Sequence, residues 1–286
     1  MSTIAPNSAT ESMFGLVVRQ RPRVLTISIA FWHVLRRDVT VTARGFIPFI
    51  IQALVMPFSF LFIFGRVLPG AGMTQRIFPA IFLPGVLGLT IFMSSLQAMS
   101  LSLMLDLDGN HEIDDRLLAP LTVGLVALEK IIYSAFRALV TGALTLGLAY
   151  LVLGPEYQVR TDNIGLILGV ATLYALGSAA LGLVIGAALS ADKIYLLFTL
   201  IFSATVYAGC VYYTWSSIAS LKVLQIITLF DPLTYASEGL RYAMVPSING
   251  QALATLPIGW SILGLSLSFL AFLFLGIRLL RKRVIA

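Results

Sequence analysis

Charged side chains are scarce in this sequence: they make up 11% of its 286 residues, whereas hydrophobic side chains make up 58%. Soluble domains carry roughly 25% charged residues, so a soluble fold of this length would have too little polar surface to cover itself. A lipid bilayer tolerates such a composition. The scarcity of charge therefore excludes an ordinary soluble domain and predicts an integral membrane protein.

Cysteine and histidine are also nearly absent, with one cysteine and two histidines. The single cysteine, Cys210, excludes an internal disulfide framework, and its apolar neighbours in the sequence favour a small buried side chain. His111 and Glu112 resemble the start of a zinc-binding His-Glu-x-x-His motif, but Asp115 replaces the second histidine. The sequence therefore predicts no metal site.

A phosphate-binding loop is lacking as well. The sequence contains no Gly-Lys pair, which the Gly-x-x-x-x-Gly-Lys-Ser/Thr loop requires, and it holds no Ser/His/Asp cluster that would suggest catalysis. We expect a non-catalytic chain that binds no cofactor itself. If ATP drives its function, ATP and Mg²⁺ must bind to another polypeptide.

Six apolar segments are each near or above the roughly 20 residues that cross a bilayer. They occupy residues 46–64, 81–105, 121–153, 164–189, 194–211 and 258–280. The fifth is the shortest, and the third is long enough for its first turns to project beyond the membrane. The sequence predicts an all-α membrane protein with six transmembrane helices, preceded by a polar cytosolic tail over residues 1–26.

A segment that carries both apolar and basic residues, 27–44, precedes the first span. Its apolar residues recur at helical spacing, which predicts an amphipathic helix in the membrane interface. A helix on a solvent-facing surface is the alternative. The residues expected to place the helix in the interface are Phe31, Val34, Leu35, Arg36 and Arg37.

Lysine and arginine are unevenly divided between the two sides of the predicted bundle. With six spans, twelve basic residues fall on the side of the two termini and five on the other side. The positive-inside rule therefore predicts that both termini are cytosolic, in a multi-pass protein of the cytoplasmic (inner) membrane. Because the basic residues cluster at the ends of apolar runs, the net charge of +6 indicates membrane topology and no nucleic-acid partner.

The third span carries the charged residues Glu129, Lys130 and Arg137. Charge within a membrane is costly and often functional, which makes these residues candidates for a transport path. They lie toward the predicted cytosolic end, however, where long side chains can reach the headgroups or pair with another helix. Both interpretations stay open at the level of the sequence.

The loop between the second and third spans predicts a short helix outside the membrane. Gly109 and Asn110 signal a helix start, acidic residues follow near its N-terminus, and Pro120 prevents its continuation. Ile113 and Leu117 are four residues apart and share a face that no membrane buries, so we expect a partner protein there. A solvated loop with incidental acidic residues is the alternative.

A second motif lies between the fifth and sixth spans, at residues 230–241, which read Phe-Asp-Pro-Leu-Thr-Tyr-Ala-Ser-Glu-Gly-Leu-Arg. Asp231 can cap a helix that Pro232 begins. The aromatic residues in and before this motif suit a membrane interface, with substrate contact as the alternative. The candidate outer-side residues are Asp231, Pro232, Tyr235, Glu238 and Arg241.

Both motifs resemble those of ABC-2-type permeases, the transmembrane subunits of one class of ABC transporters. In that family a coupling loop with an acidic-Ile-x-x-Arg-Leu-Leu-x-x-Pro-like pattern precedes a long third helix. The second motif is similar to the Asn-Pro-Leu-Thr-Tyr-x-x-x-Gly-Leu-Arg stretch of drug-exporting and nodulation-type members, with Asp231 in place of Asn. The resemblance covers residues 27–286. It implies that the ATPase is contacted by Glu112, Ile113, Asp114, Asp115, Arg116, Leu117 and Leu118.

The resemblance implies a homodimer or a close heterodimer that works with a separate ABC ATPase subunit. It also implies short helices on the outer side before the sixth span, and export of a hydrophobic or amphipathic, drug-like or lipid-like substrate. A polysaccharide or glycolipid exporter of the same family is the alternative. An ion-coupled secondary transporter is a further alternative, but it usually needs ionisable groups at mid-membrane, which five of the six spans lack.

Overall fold

The computed structural model describes most of the membrane domain. The described residues are 32, 36–37, 40, 46–75, 77–106, 123–154, 157, 159–160, 162–189, 191–245 and 253–285. Within these ranges the regular structure is helical throughout, as the sequence predicts. Of the predicted interface helix, four residues are described and each is helical. Phe31, Val34 and Leu35 lie outside the described residues, so the interface helix stays a prediction.

The described chain forms a series of helices whose bounds follow. They are α1 Phe46–Phe62, α2 Phe78–Met104, α3 Val123–Leu153, α4 Ile164–Ala188, α5 Ala191–Ala208, α6 Lys222–Thr228, α7 Pro232–Met244 and α8 Ile258–Ile285. A π-helical turn at Ile63–Val67 extends α1 to Leu68–Gly70, and a 3-10 turn at Trp215–Ile218 precedes α6. The short helices α6 and α7 therefore occupy the segment before the last long helix, where the resemblance implied short helices.

Five of the described helices are long and apolar enough to cross a membrane: extended α1, α2, α3, α4 and α8. The predicted fifth span corresponds to α5, which has 18 residues. Its helix ends at Ala208, and Cys210 then adopts a positive φ of 51°, which a continuing helix does not allow. The apolar part of α5 is therefore shorter than predicted, and the fifth span, and with it the total of six, stays a prediction.

Two helices run further than the apolar segments that predicted them. Helix α2 begins at Phe78 because Pro79 is tolerated in a first helical turn, where its missing N–H has no partner to lose. Helix α8 continues to Ile285 through Lys282 and Arg283. Charged residues end an apolar run, but lysine and arginine are compatible with a helix. Hydropathy therefore predicts the membrane-spanning part of a helix and does not predict where the helix ends.

Helix α2 lies at the centre of the fold, with 83% of the residues in its most apolar stretch buried. Ser95 Oγ donates a hydrogen bond to the carbonyl of Ala175 at 2.7 Å, and Ser100 Oγ donates one to the carbonyl of Gly182 at 3.0 Å. A Cβ at Gly182 would lie 2.8 Å from the carbonyl oxygen of Leu96, so α2 and α4 approach too closely for any larger residue there.

The bundle has two ends, which we name the loop end and the α7 end. The loop end carries Met104 and Val123, the helix ends on either side of residues 107–122 in the sequence, and the end of α4, where Gly186 lies against Ser100 and Leu103 of α2. Arg283 of α8 also lies there, and its Nη1 donates to the carbonyls of Gly186 and Leu189 at 3.0 and 2.9 Å, capping α4. The α7 end carries the starts of α2, α4 and α8 together with α7.

Helices α1 and α5 stand at one side of the bundle and are sparsely covered. Only 11% of the residues in the most apolar stretch of extended α1 are buried. Large apolar side chains are exposed on both helices: Ile47, Ile51, Val55 and Phe58 on α1, and Tyr195, Leu196, Leu200 and Tyr207 on α5. Both helices also line the candidate site.

Candidate functional site

A cavity of about 740 Å³ lies among α1, α2, α3 and α5 and opens to the outside. Its walls are mostly apolar, and a small number of amide, hydroxyl and charged groups face it, which is the usual chemistry of a small-molecule site. The described residues that line it include Phe49, Gln52, Met56, Met93, Ser94, Gln97, Tyr133, Arg137, Thr141, Phe198, Thr199 and Phe202. All four helices are predicted membrane spans, so the cavity lies within the membrane domain.

Arg137 brings a positive charge to the wall of this cavity. It lies fourteen residues after Val123, the first residue of the 31-residue helix α3, which is about 21 Å along the helix axis. Its Cζ lies 4.6 Å from the centroid of the Phe49 ring, a cation–π contact between α3 and α1. The Arg137 carbonyl accepts a hydrogen bond from Thr141 Oγ1 at 3.0 Å, and Thr141 Oγ1 lies 3.1 Å from Ser94 Oγ on α2.

An ion pair lies at the loop end of the cavity. Lys130 Nζ is 2.7 Å from Asp106 Oδ2 and donates to Ser102 Oγ at 2.6 Å, with the Lys130 side chain 1% exposed. Asp106 and Ser102 line the cavity. Of the three charged residues predicted in the third span, Glu129 and Lys130 are therefore buried in helix packing, and Arg137 lines the cavity.

Aromatic side chains pack between the cavity and the α7 end. Phe60 and Phe64 follow the cavity-lining part of α1, and Phe82 precedes that of α2. Tyr212 joins them, with ring centroids 5.1 Å from Phe64 and 5.5 Å from Phe82. Phe60 lies 6.5 Å from Phe82. Along both helices this aromatic cluster bounds the cavity on the side of α7.

The candidate outer-side motif forms a buried polar cluster, the Glu238–Arg241 pair. Both side chains are fully buried, and Arg241 Nη1 is 2.8 Å from Glu238 Oε1. Arg241 Nε donates to the carbonyl of Ile81 at 2.8 Å, and Nη2 donates to the carbonyls of Cys210 and Val211, the latter at 2.8 Å. Arg241 thus ties α7 to the start of α2 and to the segment after α5.

Glu238 completes this cluster by accepting hydrogen bonds from two backbone amides. The N–H of Trp215 donates to Oε1 at 3.0 Å, and the N–H of Leu256 donates to Oε2 at 2.9 Å. The pair therefore connects the loop before α6, helix α7 and the segment that leads into α8. Its burial and complete hydrogen bonding indicate a structural role that fixes the α7 end.

The start of α7 confirms the predicted cap. Asp231 Oδ1 accepts a hydrogen bond from the N–H of Leu233 at 2.9 Å, and Pro232 is the first residue of the helix. Burial raises the pKa of Asp231 to about 6 against the effect of this hydrogen bond. The hydroxyl of Tyr235 donates to the carbonyl of Leu229 at 2.8 Å, so Tyr235 holds α7 against the preceding turn.

Other predicted site residues are not brought together with these. The predicted ATPase-contacting residues lie outside the described residues, and their role stays a prediction: Glu112, Ile113, Asp114, Asp115, Arg116, Leu117 and Leu118. Arg36 and Arg37 are helical and exposed, and Arg37 also lines the cavity. In the described part of the chain no cluster of three or more histidine, cysteine or acidic residues could hold a metal ion.

The sequence interpretation missed the uncharged polar part of the cavity. Gln52 lies within the first predicted span and Gln97 within the second, and both line the cavity beside Ser94. Charged residues stand out in an apolar span, whereas these two amides are neutral and do not interrupt the apolar run. An amide inside an apolar run was the available signal, because a buried polar group needs a partner.

Comparison with known proteins gave one family. A family model described as ABC-2 type transporter matches residues 29–245. The matched range includes every helix that lines the cavity and also the Glu238–Arg241 pair. No curated protein matched the chain.

Proposed function

Because the chain belongs to the ABC-2 type transporter family, we propose that it is the permease subunit of an ATP-driven exporter, with the cavity as part of the substrate path. The sequence has no phosphate-binding loop. ATP and Mg²⁺ are therefore assigned to a separate ABC ATPase subunit, which docks at the predicted coupling residues 112–118. The observation that carries the proposal is the open cavity with apolar walls and a few polar groups within the predicted spans.

The chemistry of the cavity favours a drug-like or lipid-like amphiphile as the substrate. Its volume of about 740 Å³ is within the range of roughly 300–1,000 Å³ that small-molecule sites occupy. Phe49, Met56 and Met93 offer apolar contact, and Gln52 and Gln97 offer hydrogen bonds. A polysaccharide or glycolipid substrate remains the second candidate, since Tyr133 and Phe202 line the cavity and offer aromatic rings to a sugar.

The ionisable groups of the cavity speak against an ion-coupled secondary transporter. Arg137 lines the cavity as a cation, so its side chain repels a coupling cation and offers it no ligand oxygen. Asp106 lies 2.7 Å from Lys130, which holds its negative charge in an ion pair. An ATP-driven cycle needs no titratable group in the cavity and fits this arrangement better.

A second copy of the chain would close the open side of the cavity. Gln52 is exposed at this side of α1, and Thr199 and Ser203 are exposed on α5, where their hydroxyls bond to their own helix. An amide facing lipid lacks partners and is costly. We therefore propose a two-fold homodimer, or a close heterodimer, in which α1 and α5 of two protomers enclose the path.

The proposed orientation follows from charge. Both termini and residues 107–122 lie on the cytosolic side of the inner membrane, which places α7 and the Glu238–Arg241 pair toward the outer side. With α5 as the fifth of six spans, the aromatic cluster closes the outer end of the path and the Lys130–Asp106 pair lies at its cytosolic end.

Transport by the full chain, reconstituted with the ABC ATPase that co-purifies with it, tests this function. The change Ala53→Trp fills the cavity from α1, and we expect it to abolish ATP-driven uptake of a fluorescent amphiphile into inverted vesicles. The control Leu267→Trp places the same tryptophan side chain on α8, where Leu267 is 59% exposed, and should transport normally. Unchanged transport by the Ala53→Trp protein would contradict the proposed path.

A further inference from the structure

Arg137 brings to the cavity a positive charge that no carboxylate of the described residues pairs with. Three charged side chains line the cavity in the described part of the chain: Arg37, Asp106 and Arg137. Asp106 lies 2.7 Å from Lys130, so its charge is neutralised inside the protein. No carboxylate of the described residues forms an ion pair with Arg137, whose recorded partner is the Phe49 ring at 4.6 Å. The space beside Arg137 therefore favours an anion.

The guanidinium of Arg137 also has unused hydrogen-bonding capacity. Its Nε has no hydrogen-bond partner among the described residues but is inaccessible to solvent, so a ligand in the cavity would reach the terminal Nη1 and Nη2 groups of this half-buried side chain. A guanidinium has five N–H donors in a fixed fork, and a ring face satisfies its charge only in part. Phosphate, carboxylate and sulfate groups match this fork with two parallel hydrogen bonds, and such bonds are the strong ones in proteins.

The surroundings of Arg137 divide into a polar part and an apolar part. Ser94 and Gln97 on α2 and Gln52 on α1 face the cavity and can bond to the remaining oxygens of an anion. Met93 on α2 and Phe202 on α5 give the cavity walls that suit an acyl chain or a ring system. A molecule with an anionic headgroup and an apolar tail satisfies both parts.

We propose that this cavity binds an amphiphile through an anionic oxygen headgroup, held by Arg137, with its apolar part against the methionine and phenylalanine walls. This assignment rests on the proposed permease function for the idea that the bound amphiphile is cargo. The same chemistry could also be supplied by a resident anionic membrane lipid. The site itself, an anion at Arg137, is common to both sources, and transport distinguishes them.

Binding by the full chain in phosphatidylcholine nanodiscs tests the site. Three probes share a twelve-carbon tail and differ in the headgroup: dodecyl phosphate, dodecylphosphocholine and dodecyltrimethylammonium. Each competes with a fluorescent dodecanoate. We expect dodecyl phosphate to compete best, and the change Arg137→Gln to weaken it about tenfold, as the loss of a charge-assisted hydrogen bond implies. Competition by the cationic probe should not weaken.

Two further variants separate the headgroup site from general effects. Arg137→Lys keeps the charge without the fork, so it should retain part of the preference for dodecyl phosphate. Arg160→Gln removes one positive charge outside the cavity, from an exposed side chain whose Nε is 3.3 Å from Asp162 Oδ2, and it should bind all three probes like the unchanged protein. If Arg137→Gln does not fold, the headgroup preference of the unchanged protein decides.

Three results would overturn the site: no preference of the unchanged protein for dodecyl phosphate, an Arg137→Gln protein that keeps the preference, or equal losses for all three probes. Vesicles reconstituted with the ATPase then identify the source. ATP-driven movement of the fluorescent dodecanoate supports cargo, and binding without movement supports a resident lipid. Anion binding with no transport of any amphiphile counts against the permease function alone. Transport of the cationic probe without anion binding counts against this site alone.

Discussion

Removing Arg241 should destabilise the protein strongly, because this side chain is fully buried and paired with a fully buried carboxylate. The change Arg241→Met leaves the Glu238 carboxylate fully buried without its counter-charge at 2.8 Å. Breaking a buried ion pair from one side costs about 3–5 kcal/mol, because the remaining charge stays desolvated. The carbonyls of Ile81, Cys210 and Val211 lose a donor at the same time. We expect the free energy of unfolding to fall by an amount in the upper half of that range.

The double change Glu238→Leu with Arg241→Met tests whether the cost comes from the unpaired charge. It removes both charges but leaves the N–H groups of Trp215 and Leu256 without their acceptor, at about 1–3 kcal/mol for each buried group. The double variant should therefore remain destabilised, yet by at least about 1 kcal/mol less than the two single changes add up to.

Equilibrium unfolding in mixed micelles with increasing dodecyl sulfate measures these free energies. Tryptophan fluorescence is a suitable signal, because the backbone N–H of Trp215 donates to Glu238 and the residue that carries this indole therefore lies next to the pair. Arg160→Met is the matched control, since Arg160 is 42% exposed and its ion pair at 3.3 Å is at the surface; it should stay within about 0.5 kcal/mol of the unchanged protein. The reasoning fails if Arg241→Met unfolds like this control, or if the two single changes are additive.

Three other predictions address the coupling loop, the cap of α7 and the topology. The double change Ile113→Ser with Leu117→Ser should weaken ATPase binding at least tenfold, since burying each side chain is worth roughly 1.5–3 kcal/mol, and normal co-purification of the ATPase would exclude the coupling role. Burial raises the pKa of Asp231 in the folded chain to about 6 from its ordinary value of 3.8, so the contribution of this group to stability is present at low pH and should be lost as the pH rises between these values. Asp231→Asn keeps the cap and should remove this dependence in unfolding measured from pH 4 to 7, and an unchanged dependence would assign it to another group. Cysteines introduced in either terminal tail should resist an impermeant thiol reagent in intact cells, and ready labelling would reverse the topology.

The helical class and most of the long helices could be predicted from the sequence because both depend on apolar length. The segments 164–189 and 258–280 correspond to helices Ile164–Ala188 and Ile258–Ile285. The end of α5 could not be predicted, because Val206, Gly209 and Val211 continue the apolar run through the point where the helix stops. Hydropathy detects the solvent that a segment prefers and does not detect where its backbone turns.

The cap of α7 could be predicted because it depends on neighbouring residues, whereas the contacts of Arg241 could not, because they depend on distant ones. A cap involves residues two apart, so Asp231 before Pro232 specified it directly. Glu238 and Arg241 are also close in sequence. Their structural role, however, includes the hydrogen bond from Arg241 to the carbonyl of Ile81, which is 160 residues away. Contacts of this range require the packed fold, and the sequence motif alone left the pair as candidate outer-side residues without a role.

The two arginines Arg241 and Arg137 show how the membrane domain treats buried charge in two different ways. Arg241 is enclosed, and it donates to Glu238 and to three backbone carbonyls, so its charge and donors are satisfied by the protein. Arg137 has a ring at 4.6 Å, and no carboxylate of the described residues pairs with it beside a cavity of about 740 Å³. A charge kept within a membrane at such a cost needs a compensating partner. When the fold supplies that partner the arginine is structural, and when an open cavity adjoins it instead, the partner is expected to come from outside the chain.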